Sequence, residues 1–186
     1  MPMPLSRSMP EGGRLIMVVG PSGVGKDTLI NGARSAAPAR VYFQQREITR
    51  PADAGGEDHI EVSAAEFEQR EAEGGYALSW RANGLCYGVP ASIRERIAAG
   101  WTVIVNGSRG ALEEARARFP ELLIVSVSAS ADQLHLRLAN RGRESPEEIE
   151  RRVARALAFE VEGKDVVEVR NDGAPEEAVQ AFLRLL

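Results

Sequence analysis

Cysteine is almost absent: Cys86 is the only one in 186 residues, so no internal disulfide can form and a disulfide-stapled secreted scaffold is excluded. No apolar run approaches the ~20 residues that cross a bilayer, so no membrane partner is expected. Neither sign of charge dominates. The 23 Lys and Arg stand against 27 Asp and Glu for a net charge of −4, which argues against nucleic-acid partners. Aromatic residues make up 5%, and Trp80 and Trp101 are better explained by packing than by base stacking. The two histidines, His59 and His135, have no Cys/His spacing around them that would suit zinc. Lysine is the most telling shortage: of the 23 basic residues only Lys26 and Lys164 are lysines.

What remains, 44% apolar and 27% charged with 18 Gly and 10 Pro, is an ordinary composition for a globular protein with a sizeable core. Residues 1–12, MPMPLSRSMPEG, lack the apolar stretch of a signal peptide and read as a mobile tail before a single domain over 13–186. A cytoplasmic location is expected, with the oligomeric state open between monomer and homodimer.

Strand-like and helix-like segments alternate. Leu15–Val19 reads as a buried strand, followed by a glycine-rich turn and a helix over Asp27–Arg34. Ser63 and Glu66 form a capping box that opens a helix to about Glu73. Helical stretches at 91–99, 111–118, 131–140 and from Pro175 interleave with strands at 101–105, 122–127 and 166–169. This predicts an α/β fold, a three-layer parallel sheet with helices on both faces.

Gly20-Pro21-Ser22-Gly23-Val24-Gly25-Lys26 matches G-x-x-x-x-G-K between a strand and a helix, the setting of a P-loop. Glycines let backbone N–H groups converge on phosphate oxygens, and the helix N-terminus adds a favourable dipole. Lys26 is placed to reach the β- and γ-phosphates of ATP. After that lysine the pattern departs, with Asp27 and then Thr28 where Ser or Thr normally binds magnesium. A carboxylate facing bare triphosphate would be repelled by about 4 kcal/mol at 4 Å in an effective dielectric of 20. Against a Mg²⁺ ion it is a good hard-oxygen ligand, direct or through water. Complementing the helix dipole is the alternative use of Asp27.

Arg137, Arg141, Arg143, Arg151, Arg152 and Arg155 crowd into 137–157. There Ser145, Pro146 and Glu148 start a helix, and Ile149, Val153 and Leu157 share one face. Arginines able to close over a phosphoryl group would make this segment a helical lid. The plainer reading is a solvated face with Glu147/Arg151 and Glu148/Arg152 pairs.

With both elements in place the chain resembles the guanylate-kinase-like P-loop kinases. GPSGVGKD is similar to that family's GPSGxGKS, and Thr49-Arg50-Pro51 to the start of its acceptor-binding region, which would run over about 44–90. Asn83-Gly84 with Tyr87-Gly88 is similar to its G-N-x-Y-G, and Asn171-Asp172 to its N-D beside the adenine. Arg137, Arg141, Gly142, Ile149 and Arg152 match its lid pattern. The resemblance implies that Lys26, Arg141 and Arg152 handle the transferred phosphoryl group. Residues Gly20 to Thr28, with Arg137 and Asn171, would bind ATP.

The departures concern the acceptor. Ala52-Asp53 stands where a second acceptor arginine is usual, Asn106-Gly107-Ser108-Arg109 replaces D-x-D, and Val89 follows Tyr87-Gly88. A buried guanine would lose partners, and such losses discriminate strongly. The same features, with Gly56-Glu57-Asp58-His59-Ile60, resemble the branch of the family that acts on a ribose bisphosphate. That branch implies phosphoryl transfer from ATP to the 1-phosphate of ribose 1,5-bisphosphate, giving 5-phosphoribosyl 1-diphosphate, in phosphonate catabolism. Arg50, Arg81, Tyr87 and Arg109 are then expected to grip the phosphorylated ribose, with Asn83 or Asn106 on its hydroxyls. The alternatives are a guanylate kinase and a non-catalytic interaction module of the same fold, which need keep neither P-loop nor lid.

Overall fold

A computed structural model describes residues 12–54, 57–142 and 144–186, leaving the side chain of Arg141 aside. Most of the tail, 1–11, and Arg143 of the lid lie outside the described residues.

The central sheet is parallel. Its order is β2 (Val41–Gln44), β7 (Thr102–Asn106), β1 (Arg14–Val19), β8 (Leu123–Ser128) and β9 (Val166–Arg170). β1 is its middle strand and is buried along almost its whole length, which is why it reads as an unbroken apolar run. Successive side chains alternate between two cores. Ile16 and Val18 face a cluster with Leu29, Leu134, Val153 and Phe182, whereas Leu15, Met17 and Val19 face one with Leu78, Trp80, Ile93 and Phe119. The helices of the first face are α1 (Lys26–Arg34), α5 (Ala131–Arg141), α6 (Pro146–Leu157) and α7 (Pro175–Leu183). Those of the second are α3 (Ile93–Ala98) and α4 (Leu112–Arg118).

The reading of the sequence located most of these elements to within one or two residues but missed the edge strand β2 and a second sheet. Between 47 and 90 the chain forms β3 (Glu47–Ile48), β4 (Ile60–Glu61), β5 (Tyr76–Ala82) and β6 (Leu85–Pro90), in the order β4-β3-β6-β5. Apart from the parallel β3–β4 pair its pairings are antiparallel. Helix α2 (Ala64–Ala72) covers its outer face through Phe67, which stacks on Tyr76 in a small separate core. The Ser63–Glu66 capping box at its start is present as expected. This smaller sheet stands beside the carboxyl ends of β1 and β7, the edge of a parallel sheet where ligands bind.

Candidate active site

β1 ends at Val19 and the chain turns through residues 20–25 into α1, whose N-cap is Gly25 at φ 97°. No side chain caps this end, so the N–H groups of the first turn stay available to an anion. A side chain at Gly25 would force a shift, because its Cβ would fall 2.4 Å from Asn171 Nδ2. Lys26 curls back over the loop, donating from Nζ to the carbonyls of Gly20 (2.7 Å) and Pro21 (3.1 Å). Its pKa is lowered to about 8. Burial is the main cause, Arg46 adds to it, and the charges of Asp27 and Glu57 oppose it.

Two residues expected beside the adenine turn out to brace the loop. Buried Asn171 donates from Nδ2 to Val24 O at 2.8 Å, and Arg137 reaches Val24 O and Asn171 O at 3.3 and 2.7 Å. Helix α6, in the segment expected to be a lid, begins with the anticipated capping box of Ser145 and Glu148, with Pro146 in the first turn. Ile149 and Val153 anchor it in the first core, while Leu157, expected on the same face, is 53% exposed. Twelve residues carry Leu157 past the end of the packed surface. Arg152 crosses to the P-loop, donating from Nη2 to Ser22 Oγ at 2.6 Å, and is paired with Glu144. Glu148, the solvent-face partner proposed for it, caps the helix, its Oε2 accepting from Ser145 N at 2.8 Å. Arg141 ends α5, and Gly142 follows in the left-handed conformation.

Between the P-loop and the second sheet lies a cleft lined by Asp27, Arg34, Arg46, Glu57, Asp58 and Asn106. Asn106, the last residue of β7, donates from Nδ2 to both Asp27 Oδ1 (2.9 Å) and Glu57 Oε2 (2.6 Å). An amide is needed there, since a carboxyl would put three acidic groups within hydrogen-bonding distance. Tyr87 also belongs to this wall, stacked on Trp80 with ring centroids 5.5 Å apart beneath the Arg46 guanidinium. Arg50 lies nearby in sequence and is held by His59: its Nη2 is 3.3 Å from Nδ1, and His59 Nε2 is 3.0 Å from Arg50 O. His59 is thus a buried prop for Arg50.

Three of the residues expected to grip the acceptor are employed elsewhere. Arg81 points to the opposite face of β5 from Trp80, where it pairs with Glu71 at 2.7 Å and lies over Phe67. Asn83 occupies the β5–β6 turn at φ 52°, followed by Gly84 at φ 75°, so the Asn-Gly pair has a backbone reason to be there. Arg109 stacks on Phe159, its carbon Cζ 4.9 Å from the ring centroid, beside Arg116 and Glu162 in a separate groove. Conversely, the sequence reading passed over Arg46 and Glu57. Glu57 stood in the altered acceptor tract, but nothing local distinguishes Arg46 from the other arginines.

A family model described as guanylate kinase matches residues 12–182. The chain belongs to the guanylate kinase family. A ribose 1,5-bisphosphate phosphokinase of Pseudomonas paraeruginosa is 48% identical to it over 177 residues, 94% of this chain and 95% of that one. Another, from Chromobacterium violaceum, is 48% identical over 174 residues and 94% of each chain. Among solved structures, guanylate kinase from Anaplasma phagocytophilum has the same fold, with a TM-score of 0.66 at 17% identity over 94% of this chain and 85% of that one.

The site suits the nucleotide that kinases of the guanylate kinase family use. Four buried polar atoms that have no hydrogen bond among the described residues border it: Arg50 Nε, Asn106 Oδ1, Glu144 Oε2 and Asn171 Oδ1. Such orphans are rare in folded proteins, and here they gather around the P-loop, lid and cleft. Asp27 and Asn106 Oδ1 are hard oxygen donors of the kind magnesium takes. Among the described residues no group of three or more His, Cys, Asp or Glu could hold a metal, so phosphate and water oxygens would complete its shell.

Proposed function

We propose that this protein transfers the γ-phosphoryl group of ATP to the 1-phosphate of ribose 1,5-bisphosphate, releasing ADP and 5-phosphoribosyl 1-diphosphate. The observation that carries this reading is the cleft. It opens beside the P-loop and is built from a buried arginine, acidic groups and an amide rather than from the D-x-D of the family's guanine readers. Relatives nearly half identical over almost the whole chain carry that activity in their names.

An oxygen of the acceptor phosphate attacks the γ-phosphorus as the bond to the β-phosphate oxygen breaks. A phosphate monoester is already ionised at neutral pH, with its second pKa near 6, so no general base is required. Positioning and charge neutralisation carry the rate. Gly20–Gly25 and the open end of α1 receive the β- and γ-phosphates, and Lys26 turns from the loop carbonyls to them. Arg152, already at Ser22, and Arg141 would close on the transferred group. Arg137 and Asn171 hold the loop along which the nucleotide lies and border the adenine. Arg50, Tyr87 and Asn106 would face the sugar bisphosphate. Arg81, Asn83 and Arg109 have no part in this reading. Asp27 and Asn106 would hold magnesium, whose charge would offset that of the β- and γ-phosphates. The reaction is assigned to the cytoplasm, in keeping with the free thiol of Cys86 and with no described helix being long and apolar enough to cross a membrane.

The test is ADP release with Mg·ATP and either ribose 1,5-bisphosphate or GMP, with the product identified by phosphorus NMR. Turnover with the sugar and formation of the diphosphate is the expected result. Turnover with GMP alone would overturn the assignment, and silence with both would favour an interaction module.

A further inference from the structure

Arg46 is only 9% exposed, a burial that arginine rarely shows without a partner. Its guanidinium is 5.4 Å from the Trp80 ring centroid and 4.9 Å from that of Tyr87, and the planes of those two stacked rings are 5° from parallel. The stack fixes the plane of the fork. Both Nε (3.1 Å) and Nη2 (2.5 Å) donate to one oxygen, Glu57 Oε1, while Nη1 makes no hydrogen bond among the described residues. Glu57 thus leaves part of the fork unused. Through Asn106 this pair is one amide away from Asp27, and Arg46 is close enough to Lys26 to weaken its hold on a proton.

We infer that Arg46 is the arginine that binds the acceptor's reacting phosphate, and that Glu57 is its displaceable counter-anion. The inference rests on the phosphoryl-transfer reading above and goes further by assigning the grip to a residue outside the matched motifs. A sugar bisphosphate brings several negative charges into a cleft already lined by Asp27, Glu57 and Asp58. It can dock only where a cation is uncovered. Arg46 is the buried cation at that point, and its planar fork fits two phosphate oxygens at once. When phosphate replaces Glu57 on the guanidinium, the arginine keeps an anionic partner and its place over the rings, so little order has to be gained on binding. Until then Glu57 competes with the acceptor and keeps the buried charge paired.

Wild type, R46A, R46K and E57Q would be compared in two assays. One is ADP release with Mg·ATP and ribose 1,5-bisphosphate. The other follows Trp80 fluorescence during titration with ribose 1-phosphate, which carries the reacting phosphate, without ATP; Trp101, the other tryptophan, lies at the far end of β7. R46A and R46K should raise the acceptor KM at least tenfold and weaken ribose 1-phosphate binding equally, with the ATP KM within twofold of wild type. E57Q should lower the acceptor KM and tighten that binding. An acceptor KM within twofold of wild type in R46K overturns the inference, as does an E57Q that binds ribose 1-phosphate more weakly. Should R46A fail to fold, R46K and E57Q decide the matter. A wild type inactive on ribose 1,5-bisphosphate yet showing Arg46-dependent binding of ribose 1-phosphate would refute the assigned acceptor and leave the role of Arg46 standing.

Discussion

Binding of Mg·ATP should draw protons onto the protein near pH 8, with Lys26 as the group that takes them up. In the empty loop its ammonium, buried and held by two carbonyls, titrates at about 8 against an ordinary 10.5. A triphosphate at the loop supplies the negative charge that restores the ordinary value. Uptake per ATP is then about 0.5 proton at pH 8, about 0.9 at pH 9 and below about 0.1 at pH 7. ATP affinity should correspondingly weaken about tenfold between neutral pH and pH 9. Stability has the opposite sign. Folded Lys26 releases its proton before the unfolded chain does, so the empty protein gains stability as pH rises from about 8 to 10.5, by about 3 kcal/mol at most. Below pH 8 the charged lysine is a constant cost, so K26M should unfold at a higher urea concentration than wild type at pH 7 while losing turnover. The assay is calorimetric titration in paired buffers of unlike ionisation enthalpy, with K26M as control. No uptake by wild type at pH 8, or equal uptake by K26M, would refute the reasoning.

Two further substitutions probe the same site. G25A, at φ 97° and with its Cβ forced onto Asn171 Nδ2, should cost about 1–3 kcal/mol of stability and at least tenfold in ATP affinity; wild-type values for both would disprove the tight fit of α1 against Asn171. N106D places a third carboxyl between Asp27 and Glu57, where like charges raise its folded pKa, so stability is present at low pH and lost as pH rises through that value. Its melting temperature should fall progressively below that of wild type from pH 5 to 8, and a gap independent of pH would show that the amide does not bridge the two carboxylates.

How far the sequence could be read depended on the range of the interaction. The P-loop, the start of α1 and both capping boxes are set by residues three or four apart, so their chemistry is written locally. Buried strands such as Leu123–Ser128 announce themselves as apolar runs. The second sheet escaped because two of its strands, β3 and β4, are two residues long and have no periodicity to detect. For Arg81 and Asn83 the residue types matched the expected chemistry, but the register of β5 against β6 turned Arg81 toward α2, and the turn itself required an Asn-Gly pair.

The amino-acid sequence alone therefore determined the phosphate-binding loop, the lid helix and the alternation of strands and helices, because each is a matter of near neighbours along one chain. Tertiary structure decided the cleft beside the P-loop. The bond from Asn106 to Asp27 joins residues 79 positions apart, Asn106 to Glu57 spans 49, and Arg46 is sorted from the other arginines only by being buried over Trp80 and Tyr87. Charge and residue type are local properties, whereas desolvation and pairing belong to the assembled fold, and those two settle which charged groups meet a substrate.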